Sequence, residues 1–175
     1  MALIREAAGD CDLGERRTRR QQIPRDTDEG GWFSAIPGER LKIRVPSAAV
    51  GGRYAILESV VEPGFGPPLH THREDEIFEI IDGTMTFQIG NERLEAGPGT
   101  IIAIPAGVHH AWANFGKAPA RMLATFSPGG IETLFAQIAD LPPEKLVELV
   151  ASYGSAIVGP PLTRWGPVIR RSCGT

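Results

Sequence analysis

The sequence predicts an all-β domain followed by C-terminal helices, and three observations carry that reading. Residues 84–89 alternate cleanly, with Met85, Phe87 and Ile89 on one face and Thr84, Thr86 and Gln88 on the other. Hairpin turn signals recur at short intervals, among them Asp82-Gly83 and Gly90-Asn91. From Ile131 onward the apolar period changes from two to that of a helix.

Taken in order, residues 1–30 hold thirteen charged side chains and little apolar periodicity, so they form an arm outside the core. Arg16, Arg17, Arg19 and Arg20 are balanced by Asp10, Asp12, Glu15, Asp26, Asp28 and Glu29, which makes the arm a solvated segment rather than a nucleic-acid patch. The β domain takes residues 31–127, with strands expected near 41–45, 54–61, 76–81, 84–89, 100–104, 111–114 and 121–126. Gly66-Pro67-Pro68 prevents a helix and reads as a loop entering a strand, and Pro105-Ala106-Gly107 breaks the strand before it. Residues 128–175 read as a helical segment and tail. Leu134, Phe135 and Ile138 suit one helix; Pro143 at a helix start, with Leu146, Leu149 and Val150 behind it, suits a second. Both helices are expected to pack on the outside of the β domain.

A chain of 175 residues with 42% hydrophobic content can bury one good core. Its net charge of −3 leaves no electrostatic footprint for nucleic acid. No apolar run reaches the roughly 18 residues of a membrane span, and Met1 to Ala8 lacks the apolar centre of a signal peptide. The two cysteines, Cys11 and Cys173, stand one near each end and are not expected to be linked. The expected location is the cytoplasm.

The four histidines fall in two short blocks. The first reads Gly64-x5-His70-x-His72-x3-Glu76-x6-Gly83, and the second Gly99-x5-Pro105-x-Gly107-x2-His110-x3-Asn114. Imidazole and carboxylate are the usual ligands of a catalytic divalent metal, so three histidines and a glutamate gathered this way point to a mononuclear site. His70, His72 and Glu76 have the parity to face one side of an extended segment. His109 has the opposite parity to His110 and is expected to face outward, as is Glu79 relative to Glu76. If His110 faces inward, so do Trp112 and Asn114. Met85, Phe87, Trp112 and Phe126 are then expected to line an apolar, partly aromatic substrate pocket. Basic residues are scarce at those parities, which disfavours a phosphorylated substrate.

Both blocks match, position for position, the two signature motifs of the cupin superfamily. The 15 residues between Gly83 and Gly99 resemble the shortest inter-motif spacing of microbial cupins. The resemblance covers roughly residues 53–126 and implies a double-stranded β-helix, the small jelly-roll barrel. It also implies metal ligation by His70, His72, Glu76 and His110. The stretches Gly66-Pro67-Pro68-Leu69-His70, Glu74-Asp75-Glu76, Pro128-Gly129-Gly130 and Gly159-Pro160-Pro161-Leu162 are similar to single-domain bacterial cupins often compared with quercetin 2,3-dioxygenase. That likeness implies a dioxygenase-like oxidoreductase acting on a small apolar or phenolic molecule, with Glu76 as the catalytic proton acceptor. Its cofactor would be one divalent first-row ion, and three nitrogens with one oxygen suit Fe, Mn, Ni, Cu and Zn alike. A metal-assisted isomerase or lyase, or a binding module without turnover, is the alternative. Cupin barrels leave sheet edges that are commonly covered by packing barrels together, so a homodimer is expected. Trp32, Phe33 and Ile36 could cross to the neighbour. The expected partner otherwise is a small molecule, with no nucleic acid and no membrane.

Overall fold

The structure is a computed structural model that describes residues 31–138 and 141–164. The charged arm of residues 1–30, Cys11 and Cys173 lie outside the described residues. Strands β1 (Trp32–Phe33), β2 (Glu39–Val45), β3 (Ala55–Val61), β10 (Ala120–Ser127), β5 (Asp75–Asp82) and β8 (Ile101–Ile104) form one sheet in that spatial order. The second sheet runs β11 (Ala156–Pro161), β4 (Pro68–Thr71), β9 (His110–Ala113), β6 (Met85–Ile89), β7 (Glu92–Ala96). All pairings are antiparallel. From β3 to β10 the chain passes repeatedly from one sheet to the other, so the two curl into the jelly-roll barrel.

Alternation decides which side chains fill the barrel. On β5, Glu76, Phe78 and Ile80 are buried while Asp75, Ile77, Glu79 and Ile81 are exposed. On β10, Ala120, Met122, Ala124 and Phe126 are buried in the same rhythm. Phe78 packs on Phe87 with ring centroids 5.2 Å apart, and each buried ring contributes roughly 1.5–3 kcal/mol. Two glycines allow close approaches. A Cβ on Gly66 would lie 2.0 Å from the Trp112 carbonyl oxygen, so only glycine lets this loop cross β9. Gly83 turns the β5–β6 hairpin at φ +79°, where a Cβ would also meet Ala120 Cα at 2.8 Å.

The helices α1 (Glu132–Ile138) and α2 (Leu146–Ser152) pack against the outside of the barrel with solvent-exposed outer faces, Val147 at 70% exposure among them. Their inner faces turn toward the strands: Leu134, Phe135, Ile138, Leu146 and Val150 line a cavity together with Leu57, Phe78 and Met122 of the barrel. Glu132 fixes the start of α1, accepting hydrogen bonds from the Ser47 amide at 2.9 Å and the Gly130 amide at 2.7 Å. The segment at Trp32 and Phe33 pairs with β2 of its own chain, Trp32 opposite Lys42 and Phe33 opposite Leu41, and the Arg40 guanidinium lies 5.5 Å from the Trp32 ring.

Candidate metal centre and cavity

The ligand candidates come from both sheets. His70 on β4 and His110 at the start of β9 are direct cross-strand partners, with ring centroids 4.2 Å apart. His72 stands just beyond the end of β4, and Glu76 projects from β5 of the opposite sheet. The single extended segment expected for His70, His72 and Glu76 is therefore corrected: the chain leaves one sheet after Thr71 and enters the other at Asp75. Glu76 still reaches the side its parity predicts, although the strand is not continuous.

Each imidazole is oriented by a backbone carbonyl. His70 Nδ1 lies 2.8 Å from the Pro68 oxygen, His110 Nδ1 2.8 Å from that of Val108, and His72 Nδ1 3.1 Å from that of Glu74. A carbonyl can only accept, so each Nδ1 carries the proton and each Nε2 is left with a lone pair. Ligand atoms of the three histidines lie within 4.8 Å of one another. Glu76 Oε2 stands 3.2 Å from His72 Nε2 and 3.0 Å from His110 Nε2. His110 Nε2 is buried there without a well-aligned hydrogen bond. Acceptors facing acceptors repel, so this arrangement calls for a cation among them or an added proton. The residues fit an ion: two donors at right angles, with bonds of roughly 2.1 Å, stand about 3.0 Å apart.

Protons on the imidazoles are the alternative to a cation beside this carboxylate. Burial, then the charge of His110, push His70 down to about 4, so its ring is neutral. Burial would raise the Glu76 carboxyl, but His110 and His72 beside it win and hold it at about 2. Burial disfavours a charged His72, yet the hydrogen bond and charge of Glu76, with the charge of Glu74, lift it above the ordinary range.

His70, His72 and Glu76 border a cavity of about 230 Å³, with His110 behind them. Its walls are largely apolar; Trp112 and Phe126 belong to them, and among the described residues no lysine or arginine does. Met85 and Phe87, expected in the pocket, do not line it. Both are fully buried on β6, and Phe87 packs behind Phe78, which is itself part of the wall. His109 and Glu79 are exposed. Asn114 ties a loop: its Nδ2 donates to the Val61 and Ala118 oxygens, both at 2.8 Å, and its Oδ1 accepts from the Gly116 amide at 2.8 Å.

Sequence reasoning missed Glu39. This side chain lines the cavity from β2 and accepts a hydrogen bond from Ser59 Oγ at 2.6 Å. Burial raises its carboxyl to about 7, against the lowering effect of Ser59 and with some help from the Glu76 charge. Its shared parity with Leu41 on β2 was the available signal.

Known proteins share this geometry's sequence frame. A family model described as "Cupin domain" matches residues 57–126, which span both histidine blocks. An uncharacterized protein of Methanocaldococcus jannaschii is 30% identical over 84 residues, covering 47% of this chain and 67% of that protein. The chain belongs to the cupins. A second relative of this cupin, an uncharacterized protein of Streptomyces coelicolor, is 30% identical over 57 residues, 33% of this chain and 53% of that one. Among solved structures, KdgF from Halomonas sp. superposes with a TM-score of 0.53 at 18% identity, covering 58% of this chain and 89% of that one. A predicted oxalate decarboxylase from Thermotoga maritima does so at 0.51 and 20%, covering 55% and 90%. These likenesses, both under 25% identical, show the fold alone and leave the reaction open.

Proposed function

We propose that this cupin is a metal-dependent oxidoreductase of dioxygenase type, acting on a small apolar or phenolic molecule held in the cavity. His70, His72, His110 and Glu76 would hold one divalent first-row ion. The observation that carries the reading is the convergence of three carbonyl-locked imidazoles and one buried carboxylate on the edge of an apolar cavity. A divalent ion there supplies Lewis-acid or redox chemistry. The chain's own residues do the rest. The apolar walls exclude water and select an uncharged substrate, since among the described residues no lysine or arginine lines them to neutralise an anion. Glu76 would accept the proton of a substrate hydroxyl, and Trp112 and Phe126 would hold an aromatic ring.

A second reading, a metal-assisted isomerase or lyase, is favoured by Glu39, whose carboxyl at about 7 suits proton exchange near neutral pH. Elemental analysis of purified protein, then oxygen uptake with that metal restored and a panel of phenols, separates the two. Oxygen consumption coupled to product supports the oxidoreductase. Product without oxygen uptake supports the isomerase or lyase, and absence of any bound metal refutes both.

A further inference from the structure

We propose that Glu39 and Ser59 form a second polar anchor in the cavity, which binds the hydroxyl or carbonyl oxygen of a small, otherwise apolar ligand. The proposal rests on the cavity being the small-molecule site but not on a bound ion. Both side chains are buried, Glu39 at 5% and Ser59 at 1% exposure, and both line the cavity. Ser59 Oγ occupies one carboxyl oxygen at 2.6 Å. Among the described residues no other group hydrogen-bonds the carboxyl, and no cation borders the cavity to pair with it. Ser155 Oγ, also on the cavity wall and buried, has no partner either.

Polar groups left in an apolar cavity weaken the fold, and a leucine opposite Ser59 would serve packing better. A ligand oxygen would satisfy them. The carboxyl is partly protonated near neutral pH, so it can donate to a carbonyl or accept from a hydroxyl. The charged or titratable groups that share the cavity are His70, His72 and Glu76, all at the ligand cluster. The ligand would therefore lie between two polar sites, with apolar contacts along its body. Ser59 lies within the residues 57–126 that match the cupin family, and Glu39 falls outside them, so the carboxyl half of the anchor comes from β2 beyond the matched region.

The test uses the full chain and two probes of like shape, p-cresol and toluene, measured by titration calorimetry with zinc added and after chelation. The expected result is that p-cresol binds about tenfold more tightly than toluene in both conditions. Glu39→Leu should bring that preference within about twofold and leave toluene binding in place. A preference that survives Glu39→Leu, or failure of p-cresol to bind, overturns the proposal. If the preference survives Glu39→Leu but vanishes on chelation, the hydroxyl sits at the metal and only the anchor is refuted. If no metal binds while the preference depends on Glu39, only the metal reading falls. Should Glu39→Leu not fold, infrared difference spectra of the wild type decide. p-Cresol, but not toluene, should shift the protonated-carboxyl band that Glu39→Gln removes; an unmoved band overturns the proposal.

Discussion

Replacing Glu39 by glutamine should make the protein's stability less sensitive to pH, by an amount the structure sets. The ordinary carboxyl value is 4.5 and burial raises that of Glu39 to about 7. The folded protein therefore keeps this proton over a window in which the unfolded chain releases it. Stability contributed by Glu39 is full below 4.5, falls as pH rises to about 7, and is flat beyond. At roughly 1.4 kcal/mol per pH unit that window is worth about 3 kcal/mol. Glutamine keeps the shape and can accept from Ser59, but it has no proton to lose. Urea denaturation of both proteins from about pH 4 to about pH 8 should show glutamine gaining on the wild type by about 3 kcal/mol across the range. His70, His72 and Glu76 titrate in both proteins and largely cancel in the difference. A difference that stays constant with pH would refute the claim that this carboxyl is buried in an apolar cavity.

Three further outcomes are expected. His72→Ala should lower zinc affinity by more than about tenfold with the barrel still folded, whereas His109→Ala should leave metal content unchanged by elemental analysis. Asn114→Ala should cost about 2 kcal/mol in chemical denaturation, since it strips the partner from the buried Val61 oxygen and from the half-buried Ala118 oxygen and Gly116 amide. Light scattering should give a dimer of the 18.8 kDa chain. Ile101→Arg should then yield a monomer, because Ile101 at 66% exposure, with Ile77 and Ile81 beside it, is an apolar patch on the outer face of β5 and β8; a mass of one chain at all concentrations would rule the dimer out.

The barrel was legible where strands carry clean alternation, as in β6, or β-branched runs, as in β8. The strands missed are those whose composition hides them. β7 reads Glu-Arg-Leu-Glu-Ala because it is a sheet edge with little to bury. β11 contains Gly159, Pro160 and Pro161, which an edge strand tolerates and a central one would not. The histidine blocks were legible as one cluster because residue type and spacing recur together in them, and His70, His72 and His110 do converge. Glu39 was not, since next to Gly38 and Arg40 it looks like any surface charge, and only the closure of the barrel makes it an inner one. Met85 and Phe87 misled for the opposite reason: alternation says which side chains face inward but not how deep in the interior each one ends.

The pairing of β11 with β4 puts Ile157 directly beside His70. A ribosome has therefore released β9, and with it His110, well before the far edge of the His70 strand has anything to pair with. Until residues 156–161 emerge, that strand is a bare edge next to the histidine cluster, open to mispairing. The chain completes its most chemically exposed strand with nearly its last described piece, so a shortened product that keeps both histidine blocks is still an unfinished site.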